Sequence, residues 1–235
     1  MPYYRVADIT FEYTPKHKYL EDRMEKYKAA DDAKPEIHIN VSDALIEKFS
    51  QKYGCSLGAS ESSVSGNTFY TYLLSKNGIM LHSSAIIYKG GAYLFSADSG
   101  TGKSTHTGIW KRVFGDENVI MLNDDKPAIR IIDGKAFAYG TPWSGKHDIS
   151  TNVSVPLKAV VFLERSENNW IRKADTKEAL NCFVAQTVNK LEANRINNLF
   201  EMLDKIFKIV PMYKMGCNMS DEAAILAEKT LCGSC

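Results

Sequence analysis

The run Ala97-Asp98-Ser99-Gly100-Thr101-Gly102-Lys103-Ser104-Thr105 constrains the fold more than any other stretch. It is entered from the apolar Ala92-Tyr93-Leu94-Phe95-Ser96 and followed by residues that suit a helix up to Phe114, where Gly115 stops it. Strand, glycine loop and helix in that order form the context in which a Walker A motif acquires meaning. Backbone N–H groups turned inward by the glycines, together with the positive end of the helix, make a cradle for phosphate oxygens. Ser99, Gly100, Thr101, Gly102, Lys103, Ser104 and Thr105 are therefore the candidate nucleotide-binding residues. Lys103 would reach the β- and γ-phosphates, and the Ser104 hydroxyl would join a magnesium shell. Ala97 departs from the strict pattern, which has glycine there; alanine is tolerated where φ stays negative.

The strand feeding this loop arrives by a hairpin. Ile79 to Tyr88 and Ala92 to Ser96 are apolar runs separated by Lys89-Gly90-Gly91, so the central sheet is expected to be mixed rather than purely parallel. After the loop helix, Val119 to Asn123 reads as a buried strand that ends in Asp124-Asp125, and Pro127 to Ile132 with Lys135 to Tyr139 reads as a hairpin around Asp133-Gly134. Two carboxylates at the end of an apolar strand after a Walker A helix stand where a metal-holding acid and a proton acceptor are needed. Asp124 is taken with Ser104 as the metal pair and Asp125 as the base, with the reverse assignment left open.

The loop Gly140-Thr141-Pro142-Trp143-Ser144-Gly145-Lys146-His147 follows. Its aromatic, hydroxyl and basic groups make Thr141, Trp143, Ser144 and Lys146 candidates for acceptor recognition. Trp143 filling the core is the equally open alternative. Leu157 to Leu163 is a further apolar strand, Asp175 or Thr176 starts a helix, Leu191 to Ile209 has helical spacing, Val210 to Met215 is a last strand, and Ser220 precedes a final helix. Ahead of residue 79, Tyr3 to Tyr13 alternates as a strand, residues 17–35 are charged and end in a loop, Ser42 or Asp43 caps a helix, Ser56 to Gly66 reads as a Ser/Gly loop, and Phe69 to Leu74 as a short helix. This gives an α+β lead-in over 1–78 and a core over 79–231.

The chain has 235 residues, 44% of them hydrophobic, enough for a full core. Its formal net charge of +1 offers no bulk field for nucleic acid or membrane. It has no apolar run long enough to span a bilayer and no signal-peptide pattern at its start, so a cytoplasmic protein is expected. The five cysteines, at an odd count and scattered, fit reduced thiols; Cys232 and Cys235 read as a chain-end pair rather than a metal or redox site.

Taken together, Leu81-His82-Ser83-Ser84-Ala85, the Lys89-Gly90-Gly91 turn, the Gly100-to-Ser104 loop and Asn123-Asp124-Asp125 resemble the HPr serine kinase/phosphorylase family, which shares its core with phosphoenolpyruvate carboxykinases. The resemblance covers residues 79 to 165. It implies an α/β fold with a mixed-sheet P-loop kinase core, and ATP-dependent transfer, with Mg2+, of the γ-phosphate to a serine-type hydroxyl of a peptide, protein or small molecule. It also implies catalytic roles for His82, Lys103, Asp124 and Asp125, and it allows a homo-oligomer. The Arg-Gly-x-Gly segment of the HPr-directed enzymes is not found after the Asp pair, which argues against HPr as the acceptor. Two other readings use the same residues: a nucleotide-binding regulatory module without transfer, and a carboxykinase-like or phosphorolytic reaction.

Overall fold

The structure is a computed structural model that describes residues 1–187 and 193–233. Its centre is a hairpin of β5 (Ser83–Tyr88) and β6 (Gly91–Ser96), closed by Lys89 and Gly90 with φ of 48° and 73°. Every residue of β6 is buried. Its side chains alternate between two cores, Tyr93 and Phe95 facing one and Ala92 and Leu94 the other.

The remaining strands extend this hairpin on both sides. β7 (Ile120–Asp125) pairs antiparallel with the outer edge of β5. On the inner edge β6 pairs in parallel with the long β10 (Ser154–Arg165), which in turn runs parallel to β12 (Met212–Cys217). β11 (Trp170–Lys173) closes that side antiparallel to β12. The first residues of β10 pair instead with β9 (Lys135–Tyr139), which continues through β8 (Ala128–Ile132) to β4 (Gly78–Met80). The nine strands form one mixed sheet, as the hairpin signal predicts.

Helices cover both faces. α4 (Lys103–Phe114) and α7 (Asp221–Cys232) enclose one core, in which Trp110, Phe95, Val161 and Ala224 are buried. α5 (Thr176–Ala185) and α6 (Ala193–Ile209) enclose the other, around Leu94, Phe162, Phe183 and Ile206. Asp175 starts α5 with a reciprocal capping box to Glu178. Of the expected helix from Leu191, residues 191 and 192 lie outside the described residues, as does Cys235. Cys232 ends α7, and its thiol lies 3.2 Å from the Tyr93 hydroxyl.

The N-terminal third differs from the sequence reading in three places. Residues 3–13 are a hairpin, β1 (Tyr3–Val6) and β2 (Ile9–Glu12), because Ala7 and Asp8 take φ of 49° and 58° and reverse the chain. The charged stretch carries a helix, α1 (Lys18–Met24), whose Leu20 and Met24 are buried. β3 (Ile37–His38) and α2 (Asp43–Tyr53) follow, and then Ser56 to Gly66 proves to open a single helix, α3 (Leu57–Leu74), rather than a loop.

Close packing is the reason for that composition. A Cβ on Gly58 would lie 2.6 Å from the Tyr19 Cβ, and one on Gly66 2.9 Å from the Trp143 indole. Small residues let the helix approach, and that gain outweighs their poor helix propensity. The resulting core joins Phe11, Leu20, Phe69 and Leu73 to Met80, Ala128, Tyr139 and Trp143, so hydrophobic packing is continuous across residue 78. No helix among the described residues is long and apolar enough to cross a membrane.

Candidate functional site

Strand register brings the sequence-predicted residues together. Ser83, the first residue of β5, lies opposite Ser96 at the end of β6 and opposite Asp125 at the end of β7. His82, the glycine loop and the two carboxylates therefore meet at one edge of the sheet, although about forty positions of chain separate the first from the last.

The loop itself runs from Ala97 to Gly102. Gly100 and Gly102 hold φ of 78° and 119°, values that side-chain-bearing residues rarely adopt, which accounts for both glycines. Ala97 is absent from the positive-φ residues, so the departure from the strict motif brings no strain. α4 starts at Lys103 with its first-turn N–H groups directed at the loop. The Lys103 ammonium donates to the carbonyls of Ala97 (2.9 Å) and Asp98 (3.4 Å). Partial burial lowers its pKa, opposed by the charges of Asp125, Asp124 and Asp98. Arg165, at the end of β10, donates to the Gly100 carbonyl at 2.6 Å and braces the loop from outside.

The Ser104 hydroxyl sits 2.8 and 3.0 Å from the two oxygens of Asp124. A hydroxyl and a carboxylate are hard oxygen donors suited to magnesium, which takes one or two protein oxygens and completes its shell with water and phosphate. Among the described residues no cluster of three or more His, Cys, Asp or Glu forms a self-contained metal site. The Ser104–Asp124 oxygens are a donor set of the kind magnesium takes beside phosphate.

Asp125 is engaged differently. Its Oδ1 lies 3.1 Å from His82 Nε2 and its Oδ2 3.6 Å from the Lys126 ammonium. Burial by itself would raise its pKa, but the His82 hydrogen bond and the Lys126 charge prevail and hold it below the usual carboxylate range. Its φ is 145°, in a region that non-glycine residues seldom occupy. A buried network after the strand holds that conformation. Asn123 accepts from the Lys126 N–H (2.8 Å) and donates to the Thr141 carbonyl (2.9 Å), while the Tyr70 hydroxyl donates to the Lys126 carbonyl (2.6 Å).

The other ring nitrogen of His82 lies 3.0 Å from Gln186 Oε1, and Gln186 Nε2 donates to Asp98 at 2.6 Å. A chain of side chains thus runs from the glycine loop through Gln186 and His82 to Asp125. The Gln186 carbonyl also accepts from the His82 N–H, and Thr187 bonds the Met80 carbonyl. That segment separates β4 from β5, where the sequence reads as one continuous strand.

Of the two readings left open for the loop of residues 140–147, Trp143 takes the core-filling one. Trp143 is 1% exposed and packs among Phe11, Phe69 and Tyr70, its indole N–H donating to Ser65 at 3.1 Å. Thr141 is fully buried in the Asn123 network, and Ser144 is buried with its hydroxyl on Asp148. These three are packing and bracing residues, because none presents a surface to an acceptor; Lys146 is exposed.

What the loop does is hold β7. Gly145 donates to the Asp124 carbonyl at 2.6 Å, a Cβ there would come within 2.8 Å of that oxygen, and one on Gly140 would fall 2.7 Å from the Leu122 carbonyl. Arg23, buried under α1, clamps the loop from behind through the carbonyls of Gly145 and Lys146. Arg23 and Gln186 brace the candidate site although no motif in the sequence singles them out, and Asn123 stands in the Asn123-Asp124-Asp125 run without any sequence signal for its bracing bonds. Arg165, at the end of an apolar strand, could have been found from position alone.

A family model described as ScmC, SynChlorMet cassette protein ScmC, matches residues 61–225 of the chain. No curated protein matches it. Among solved structures, the Hpr(Ser) kinase/phosphatase from Coxiella burnetii is similar over 64% of this chain and 95% of that one, with 10% identity and a TM-score of 0.38.

Proposed function

We infer for this chain, which belongs to the family of SynChlorMet cassette protein ScmC, an ATP-dependent phosphotransferase activity that moves the γ-phosphate to a serine-type hydroxyl. One observation carries the reading: the loop lysine, the Ser104–Asp124 oxygen pair and the His82–Asp125 pair converge on one edge of the sheet. Each motif alone is common. Their convergence is what phosphoryl transfer needs, since that chemistry depends mostly on positioning and charge neutralisation.

In this reading the amides of residues 99–104 and the Lys103 ammonium hold the phosphates. Ser104 and Asp124 would hold magnesium, which would supply neutralisation of charge on the phosphate oxygens. The acceptor oxygen forms a bond to the γ-phosphorus as the bond to the bridging oxygen breaks, the electron pair leaving with ADP. The hydroxyl proton passes to Asp125. As a carboxylate it is ionised at neutral pH and able to accept, and the His82 hydrogen bond and Lys126 charge stabilise that anion. His82 holds one carboxylate oxygen and so directs the other, and Gln186 fixes the ring.

The test is incubation of the full chain with radiolabelled ATP, magnesium and a panel of serine-bearing acceptors. Lys103→Ala is expected to lose nucleotide affinity and labelling together. Asp125→Asn is expected to keep nucleotide affinity within about threefold, under about 1 kcal/mol, and to lose transfer by a hundredfold or more, on the order of general-base removal. Transfer by Asp125→Asn at the parent rate would exclude it as the base, and full ATP turnover by Lys103→Ala would end the phosphotransferase reading.

A further inference from the structure

A cavity of about 950 Å³ opens beside the His82–Asp125 pair, where α2, α3 and the Ala185–Thr187 segment meet. It is at the upper end of the range for small-molecule sites, roughly 300–1,000 Å³, and leaves room for several residues of chain beyond one amino acid. His82, Asp125 and Lys126 line it, so whatever occupies it lies against the group assigned as base.

The wall formed by α2 is unusual for a helix of a folded domain. Ile46 is its one buried residue. Leu45, Phe49 and Tyr53, spaced four apart and hence on one stripe, all line the cavity, and Leu45 and Tyr53 are 46% and 54% exposed. Phe49 packs partly against the protein's own core, whereas Leu45 and Tyr53 are left exposed. Between the members of the stripe stand Lys48 and Lys52, which also line the cavity. Neither pairs with an acid among the described residues; the Lys52 ammonium lies 5.1 Å from the Tyr53 ring centre. Asp125 is the one acid among the described residues lining the cavity. Aliphatic and aromatic side chains alternating with unpaired cations suit a chain that carries both apolar and acidic side chains. Nucleic acid would answer the lysines but offers no aliphatic group to Leu45.

We propose that this cleft is the acceptor site, and that its occupant is an acidic peptide segment whose apolar side chains lie on the Leu45–Phe49–Tyr53 stripe, whose carboxylates meet Lys48 and Lys52, and whose serine hydroxyl reaches Asp125. The hydroxyl's role rests on the phosphotransferase reading; binding of the peptide does not.

The experiment uses the full chain and a fluorescein-labelled synthetic peptide of alternating Glu and Leu around one Ser, with a Lys-for-Glu peptide as its counterpart. Anisotropy is measured without nucleotide, and nucleotide affinity is measured separately. The acidic peptide is expected to bind and the basic one not. The doubly reversed Lys48→Glu/Lys52→Glu protein is expected to bind the acidic peptide at least tenfold more weakly, and Leu45→Asp likewise, with nucleotide affinity unchanged in both. Leu45→Asp changes an exposed position on a different chemistry, so it stands in should the charge reversal unfold α2. Equal binding of the two peptides, or undiminished binding by both variants, overturns the proposal, as does displacement of the peptide by free serine at equal concentration. If the chain binds the acidic peptide with these dependences but no nucleotide, the cleft stands and the phosphotransferase reading falls; if it binds nucleotide and neither peptide, the cleft alone falls.

Discussion

Replacing Trp143 with Ala separates packing from recognition in the loop of residues 140–147. The indole is 1% exposed, its ring centre 4.7 Å from that of Phe69, 5.3 Å from Tyr70 and 6.1 Å from Phe11. Gly66 lies directly against the indole and has no side chain that could fill the space truncation leaves. Truncating a buried aromatic of this kind costs about 3 to 5 kcal/mol, and the lost bond from the indole N–H to Ser65 belongs to that cost.

At about 2 to 4 °C of melting temperature per kcal/mol for a chain this size, the fall should be on the order of 10 °C. The glycine loop and α4 pack in a different core, around Trp110 and Phe95, so nucleotide affinity measured well below the melting point should change less than about threefold. Trp143→Phe, which keeps a ring, should recover most of the stability. Differential scanning fluorimetry beside nucleotide titration makes the comparison. A fall under about 3 °C in Trp143→Ala, with acceptor binding lost selectively, would refute this account and return Trp143 to recognition.

Two further outcomes follow from the site and the core. Asp124→Asn should blunt the dependence of nucleotide affinity on magnesium, because it removes one of the two oxygen donors that meet at Ser104; an unchanged loss of affinity on chelation would make Asp124 a turn residue. His106 is buried, its Nε2 accepts from the Trp110 indole at 3.1 Å, and burial lowers its pKa to about 4. The unfolded chain, with a histidine near 6.5, binds the proton first, so this stabilisation is complete above pH 6.5 and is lost as pH falls toward 4. The full effect is roughly 3 kcal/mol. Urea unfolding between pH 7 and pH 4 should therefore show a steeper loss in the parent than in His106→Gln, and parallel profiles would contradict the buried neutral ring.

Features that depend on neighbours along the chain are legible in the amino-acid sequence. The Gly100 and Gly102 turn, the α4 start, the Lys89-Gly90 hairpin and the Asp175–Glu178 capping box are set by backbone freedom and by contacts a few residues apart, which local sequence encodes. The same holds for the candidates His82, Lys103, Ser104, Asp124 and Asp125, which the motifs and the resemblance single out. That Asp125 pairs with His82 while Asp124 pairs with Ser104 was decided by antiparallel register, a relation between distant strands with no local signature. Composition misled where packing prevailed: Ser56 to Gly66 looks like a loop, yet its small residues let α3 lie against Tyr19 and Trp143. Gln186 and Arg23 act through single amide and carbonyl contacts across 88 and 122 positions of chain, and the cleft beside the sheet edge exists only once α2 and α3 stand against it. Sequence alone therefore determined which groups are available for chemistry; tertiary packing decided which of them meet, because burial and register act between residues that the order of the chain keeps far apart.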